Sequence, residues 1–181
     1  MRAAHRIRAY VTVFAQAKRN RVDLYGWLIR RPLILVMTGF YEFALMFSNR
    51  MDPRLKELAE LKTAGLINCE FCLDIGSALA RTAGISERQI RDLPVYADSD
   101  AYDDIEKLVI SFAEALTVTP AVDIEPIRSE LLVHFSKGQV AELAAAVAWE
   151  NQRARLNQGL GVRPTGMSDG AACALPEPRR A

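Results

Sequence analysis

The chain has little of what marks the specialised protein classes. Three cysteines in 181 residues are too few for a disulfide scaffold. Ten glycines and eight prolines exclude a collagenous or low-complexity chain. Neither sign of charge dominates: 23 basic against 22 acidic residues leave a formal net charge of +1. That balance offers no general attraction to nucleic acid, and no nucleic-acid partner is expected. Long apolar runs are also missing. The most apolar stretch, Leu33 to Phe47, has 15 residues and includes Thr38, Gly39 and Glu42. A bilayer span needs about 20. The stretch starts too deep for a signal peptide, and no small-residue cleavage site follows it. The expected compartment is the cytoplasm, where thiols stay reduced.

What remains is ordinary globular composition, half apolar and a quarter charged, enough for one domain with a real core. The charge is uneven. Residues 1–50 carry nine Lys/Arg and two acids, whereas residues 51–181 carry fourteen and twenty. A basic arm before an acidic body predicts contact with an acidic surface. The chain's own body or a neighbouring subunit comes first, and a membrane surface touching residues 1–48 comes second. The arm's Leu, Ile, Val, Met and Phe need a cover, which predicts packing across a subunit boundary.

Periodicity predicts helix almost throughout and no strand, so the fold class is all-α. Leu24 to Phe47 reads as two helical pieces, interrupted by Pro32 and Gly39. Asp52-Pro53 starts a helix, with Asp as cap and Pro in the first turn. A second begins around Cys69 to Cys72 and stops at Gly84. Ser86-x-x-Gln89 and Ser136-x-x-Gln139 are capping boxes. Further helices are expected over about 102–117, 124–134 and 137–158. The resulting division is a basic, apolar helical arm (1–48), a helical domain (49–165) and an irregular tail (166–181).

Cys69-Glu70-Phe71-Cys72 carries the chemistry. At the first turn of a helix, free N–H groups and the positive dipole stabilise a thiolate. Residues i and i+3 share a face, so the sulfurs can close a short disulfide and act as a redox pair. Three other readings stand beside this one. The first is a zinc site completed by His5, His134 and Cys173, although these lack metal-site spacing. The second is two thiols packed as small hydrophobes, and the third is a structural disulfide. On the preceding helix Glu57 and Glu60 share a face. Spacing alone favours solvated carboxylates, with Glu60 paired to Lys56 four residues earlier. Burial would instead make one a proton acceptor.

Glu57, eleven intervening residues, then Cys69-x-x-Cys72 resembles the signature of the carboxymuconolactone decarboxylase-like superfamily, in its alkylhydroperoxidase D (AhpD) branch. Phe135-Ser-x-x-Gln-Val-x-Glu-Leu and Trp149-Glu-Asn-x-Arg-x-Arg-x-Asn157 are similar to the family's closing helix. The likeness covers about residues 45–165. It implies an AhpD-like helical domain with an added N-terminal helical arm, assembled as a homo-trimer or homo-hexamer. It implies thiol-dependent reduction of a hydroperoxide or a disulfide substrate, with a protein or small thiol as electron donor. Cys72 would attack, Cys69 would be its disulfide partner, and Glu57 would belong to a proton relay. The redox-active disulfide Cys69–Cys72 would need no added cofactor and no metal. The family's histidine, four residues after the second cysteine, is here Gly76. Glu60, Ser77, Asp74, His134 or water are the candidate replacements in the relay. Loss of the imidazole leaves a slowed peroxidase or, alternatively, a non-catalytic redox-sensing or assembly protein. Lactone decarboxylation is the remaining alternative, with the acid–base histidine absent and two thiols present. Asn151 and Arg153 are expected to pack rather than to act, and Cys173 is expected in a loose tail.

Overall fold

Helix α4 (Pro53–Ile67) is the axis of the molecule, with ten consecutive residues from Lys56 to Gly65 buried. Three helices enclose it: α5 (Glu70–Thr82), α7 (Asp104–Thr117) and α9 (Lys137–Gly159). The computed structural model describes residues 2–177, with side chains from Arg6 onward. The side chain of His5 and residues 178–181 of the tail lie outside the described residues. Within them the remaining helices are α1 (Arg2–Ala15), α2 (Asp23–Leu28), α3 (Pro32–Phe47), α6 (Glu87–Asp92) and α8 (Ile124–His134). One 3₁₀ turn covers Leu93–Val95, and the described residues contain no strand. No described helix is long and apolar enough to cross a membrane.

The helix starts follow local chemistry. The Asp52 carboxylate accepts from Arg54 N at 2.9 Å, with Pro53 in the first turn. Ser86/Gln89 and Ser136/Gln139 form complete capping boxes. A third box, Asp103/Glu106, starts α7 at Asp104, two residues later than periodicity alone suggests. Asn68 ends α4 in the left-handed region at φ 67°. Gly39 does not break α3, contrary to expectation. A lone helical glycine costs only about 1 kcal/mol, too little to end a helix of 16 residues.

Apolar packing accounts for the layers. Leu58, Leu61, Leu73, Ile90 and Ile110 join α4, α5, α6 and α7. Ala59, Phe112, Leu131, Leu143 and Val147 join α4 to α7, α8 and α9. Val13 of α1 packs with Ala78 and Leu79 of α5, and Tyr10 lies against the same cluster. Charge pairs also bring the arm onto the body. Arg19 binds Asp169 at 2.9 Å, Arg163 binds Asp23 at 2.8 Å, and Arg153 binds Glu42 at 3.1 Å. The described tail is irregular but anchored. Asp74 of α5 accepts from the backbone N–H groups of Thr165, Gly166, Met167 and Ser168 at 2.7–3.2 Å. Further on, Glu177 meets Lys62 at 2.7 Å.

Candidate active site

Cys69 is the N-cap of α5, and its sulfur accepts from Cys72 N at 3.3 Å. The two sulfurs are joined as a disulfide, with Cα atoms 5.2 Å apart. Both residues are buried, at 2% and 4% exposure. They are not equivalent. Cys72 lines a cavity of about 450 Å³, whereas Cys69 is not among its lining residues. Asn157 of α9 also lines that cavity and directs its side-chain N–H at the Cys72 sulfur, 3.5 Å away. On reduction, the open first turn of α5 would stabilise a Cys72 thiolate.

The cavity lies between the arm helices α1–α3 and the body helices α4, α5 and α9. Leu28, Leu35, Phe71, Ile75 and Leu156 contribute to its apolar walls. Its polar groups include those of Tyr10, Glu42, Glu57, Glu60, Glu150 and Arg153. The expectation that Glu57 and Glu60 are solvated is overturned, since each is only 6% exposed. The reason is the central place of α4, which leaves no side of that helix in water. Lys56 turns instead to Glu142 and to the Ser48 carbonyl, at 2.8 Å. Glu60 receives Arg153 at 3.0 Å.

Charge is not balanced in this place. Arg153 serves Glu42, Glu60 and Glu150, and Arg6 approaches Glu57 at only 3.9 Å. Three of the four carboxyls thus share one guanidinium group, and Glu57 has only a distant one. Burying the excess negative charge is costly, so protons are retained. Burial first, then the Glu60 charge, pushes Glu57 up to about 8 against the pull of Arg6, Arg153 and Lys56. Burial pushes Glu150 up to about 7, opposed mainly by Arg153. A carboxyl titrating near neutrality can both give and take a proton.

The candidate relay groups are dispersed. Glu60 shares the cavity with Cys72 and Glu57. Ser77 is buried and accepts from Ala174 N at 2.9 Å, so it holds the tail and is not among the lining residues. Asp74 is occupied by the 165–168 loop. His134 stands half exposed at the end of α8, 3.4 Å from Glu130, and does not line the cavity. Gly76 does line it, and a side chain there would meet only Leu61, at 3.1 Å. Cys173 lies 3.8 Å from Ser77 Oγ, and burial pushes its thiol up, away from ready ionisation. Among the described residues no group of three His, Cys, Asp or Glu is arranged to hold a metal ion.

Asn151 packs, donating to Thr117 Oγ1 at 3.2 Å and to the Val147 carbonyl. Arg153 does not merely pack, because it is the main cation of the cavity. Sequence reading also missed Arg6, Tyr10, Glu42 and Glu150. The i,i+3 spacing of Glu150 and Arg153 gave a local signal. Glu42 gave another, as the only charge in α3. Nothing in the sequence brings α1 to α5.

Residues 36–115 match the Carboxymuconolactone decarboxylase family. The chain is 29% identical over 155 residues to YnjA of Escherichia coli, covering 84% of this chain and 82% of that protein. ATU0492 of Agrobacterium tumefaciens, whose name suggests an AhpD antioxidant-defence role, superposes with a TM-score of 0.71. The identity is 21%, over 76% of this chain and 94% of that one. The debrominase Bmp8 superposes with a TM-score of 0.72 at 19% identity, over 86% and 85%. At such identities these two structures share the fold.

Proposed function

We propose, for a chain that belongs to the carboxymuconolactone decarboxylase-like superfamily, a thiol-dependent peroxidase activity centred on Cys72. The observation that carries this reading is the asymmetry of the thiol pair. One sulfur faces a largely apolar cavity that also holds a buried, proton-bearing carboxyl, and its partner lies behind it. In the reaction, the Cys72 thiolate attacks the outer oxygen of an organic hydroperoxide. An S–O bond forms and the O–O bond breaks. The alkoxide leaves as alcohol, with a proton traceable to Glu57. The Cys69 thiol then displaces water from the Cys72 sulfenic acid and closes the disulfide. A protein or small dithiol restores the pair with two electrons and returns the proton. The same pair facing a disulfide substrate would act as a disulfide reductase. Lactone decarboxylation would leave both sulfurs without a role.

The reading extends to assembly. Helix α3 has no buried residue, and Leu33, Met37, Phe40 and Phe43 are among its exposed apolar side chains. An apolar face of this kind fits a second copy of the chain, in a trimer or hexamer.

The deciding measurement is hydroperoxide consumption by the full chain with a dithiol donor. Cys72→Ser is expected to abolish it. Glu57→Gln is expected to slow it by roughly 10²-fold or more. A wild type no faster than Cys72→Ser overturns the peroxidase reading and leaves the redox-sensing or assembly role.

A further inference from the structure

We infer that Tyr10, carried by α1, is the proton donor for the leaving oxygen at Cys72. The inference rests on the peroxidase reading and names the group that passes the Glu57 proton to the leaving oxygen. Among the described lining residues of the cavity there is no histidine. The side-chain position that could offer one from α5 is Gly76, where a Cβ would already press on Leu61 at 3.1 Å.

Helix α1 packs on α5 and brings two polar side chains inward, one turn apart. Arg6, 8% exposed, faces Glu57, and Tyr10 lines the cavity together with Cys72, Gly76, Glu57 and Glu60. Residues i and i+4 share a helix face, and Val13 and Tyr10 seat that face against Ile75, Ala78 and Leu79. The charged groups acting on the phenol come from three other helices: Glu57 and Glu60 of α4, Glu42 of α3 and Arg153 of α9. Burial first, and Glu57 next, hold Tyr10 protonated well beyond the ordinary phenol range. A phenol that does not ionise is suited to donate a hydrogen bond to a developing oxyanion and to pass a proton in concert.

The step balances. As the Cys72 thiolate takes the outer oxygen, sulfur loses two electrons and the hydroperoxide becomes an alkoxide. The alkoxide takes the Tyr10 proton, and the Glu57 carboxyl restores it. The sum is thiolate, hydroperoxide and protonated Glu57 going to sulfenic acid, alcohol and ionised Glu57. The donor dithiol later returns the proton.

The test compares two reagents on the reduced full-length protein, read as loss of free thiol in a single turnover. Cumene hydroperoxide expels an alkoxide that needs a proton. Methyl methanethiosulfonate expels a sulfinate that does not. Tyr10→Phe keeps the ring and its packing. It is expected to slow the hydroperoxide reaction about 10²-fold while leaving the thiosulfonate reaction within about twofold. Equal slowing of both reactions overturns the inference, because the ring would then serve only to shape the site. An unchanged hydroperoxide rate overturns it as well. A wild type that reacts with the thiosulfonate but not with the hydroperoxide overturns the peroxidase reading, and this inference falls with it.

Discussion

Helices α3 and α4 are consecutive, of 16 and 15 residues, and they reverse the usual relation between composition and burial. The first has a single charged residue, Glu42, and buries none of its side chains. The second carries Arg54, Lys56, Glu57, Glu60 and Lys62, and ten of its residues in a row are buried. Burial follows from where a helix lands, and the charges must then be compensated or neutralised. On α4 both solutions occur. Lys56 and Lys62 each meet carboxylates, at Glu142 and at Glu177 and Glu114. These matched pairs hold elements together. On the cavity side Glu60 meets Arg153, whereas Glu57 has only the distant Arg6, and burial pushes its carboxyl up to about 8. The same helix therefore ties elements together on one side and lines the cavity on the other. Helix α3 contributes a carboxylate inward and an uncovered apolar surface outward.

The matched side breaks most readily. Lys56 is 1% exposed, and Lys56→Ala would leave Glu142 buried without its ammonium partner. The expected loss is about 3–5 kcal/mol in urea unfolding. The paired replacement Lys56→Met with Glu142→Leu is expected to cost less than the single change. A single change that costs under about 1 kcal/mol, the value of an exposed pair, ends the structural reading.

The unmatched side responds to pH. Glu57 titrates near 8 in the folded chain against an ordinary 4.5. Its contribution is therefore fully present below pH 4.5 and is lost as pH rises toward 8. Over that window only the unfolded carboxyl ionises, at about 1.4 kcal/mol per pH unit. Glu57→Gln removes this drift, so the variant gains on wild type from pH 5 to pH 8. Parallel stability curves would show that Glu57 is not the proton-bearing carboxyl.

The smallest effect on folding is expected from α3. Phe40 is 66% exposed, so Phe40→Asp should change the stability of the separated chain by about 0.5 kcal/mol or less. Its mark is the molecular mass in light scattering, which should fall to that of one chain. A wild type that is already monomeric at micromolar concentration removes the subunit contact.

Much of the site was legible because its parts are local. A C-x-x-C at a helix start places two sulfurs on one face wherever the helix goes. The capping boxes at Ser86 and Ser136 and the stop at Gly84 likewise depend on neighbours a few residues apart. The family resemblance singles out Glu57, whereas periodicity predicts a solvated carboxylate there and the structure buries it. Hydrophobic periodicity assumes one wet face, and α4 has none. His134 and Ser77 were plausible by residue type alone. The fold gives the first to an exposed helix end and the second to the tail.

By itself the sequence determined an all-helical chain, the places where most helices begin and end, and the placing of Cys69 and Cys72 within one helical turn. These depend on backbone geometry and contacts within a turn or two. Tertiary packing decided which sulfur faces the cavity and which carboxyls give up water. It also brought Tyr10 and Arg6 across some fifty residues of chain to reach Glu57. Desolvation and long-range charge are sums over neighbours from every helix, and no stretch of sequence contains them.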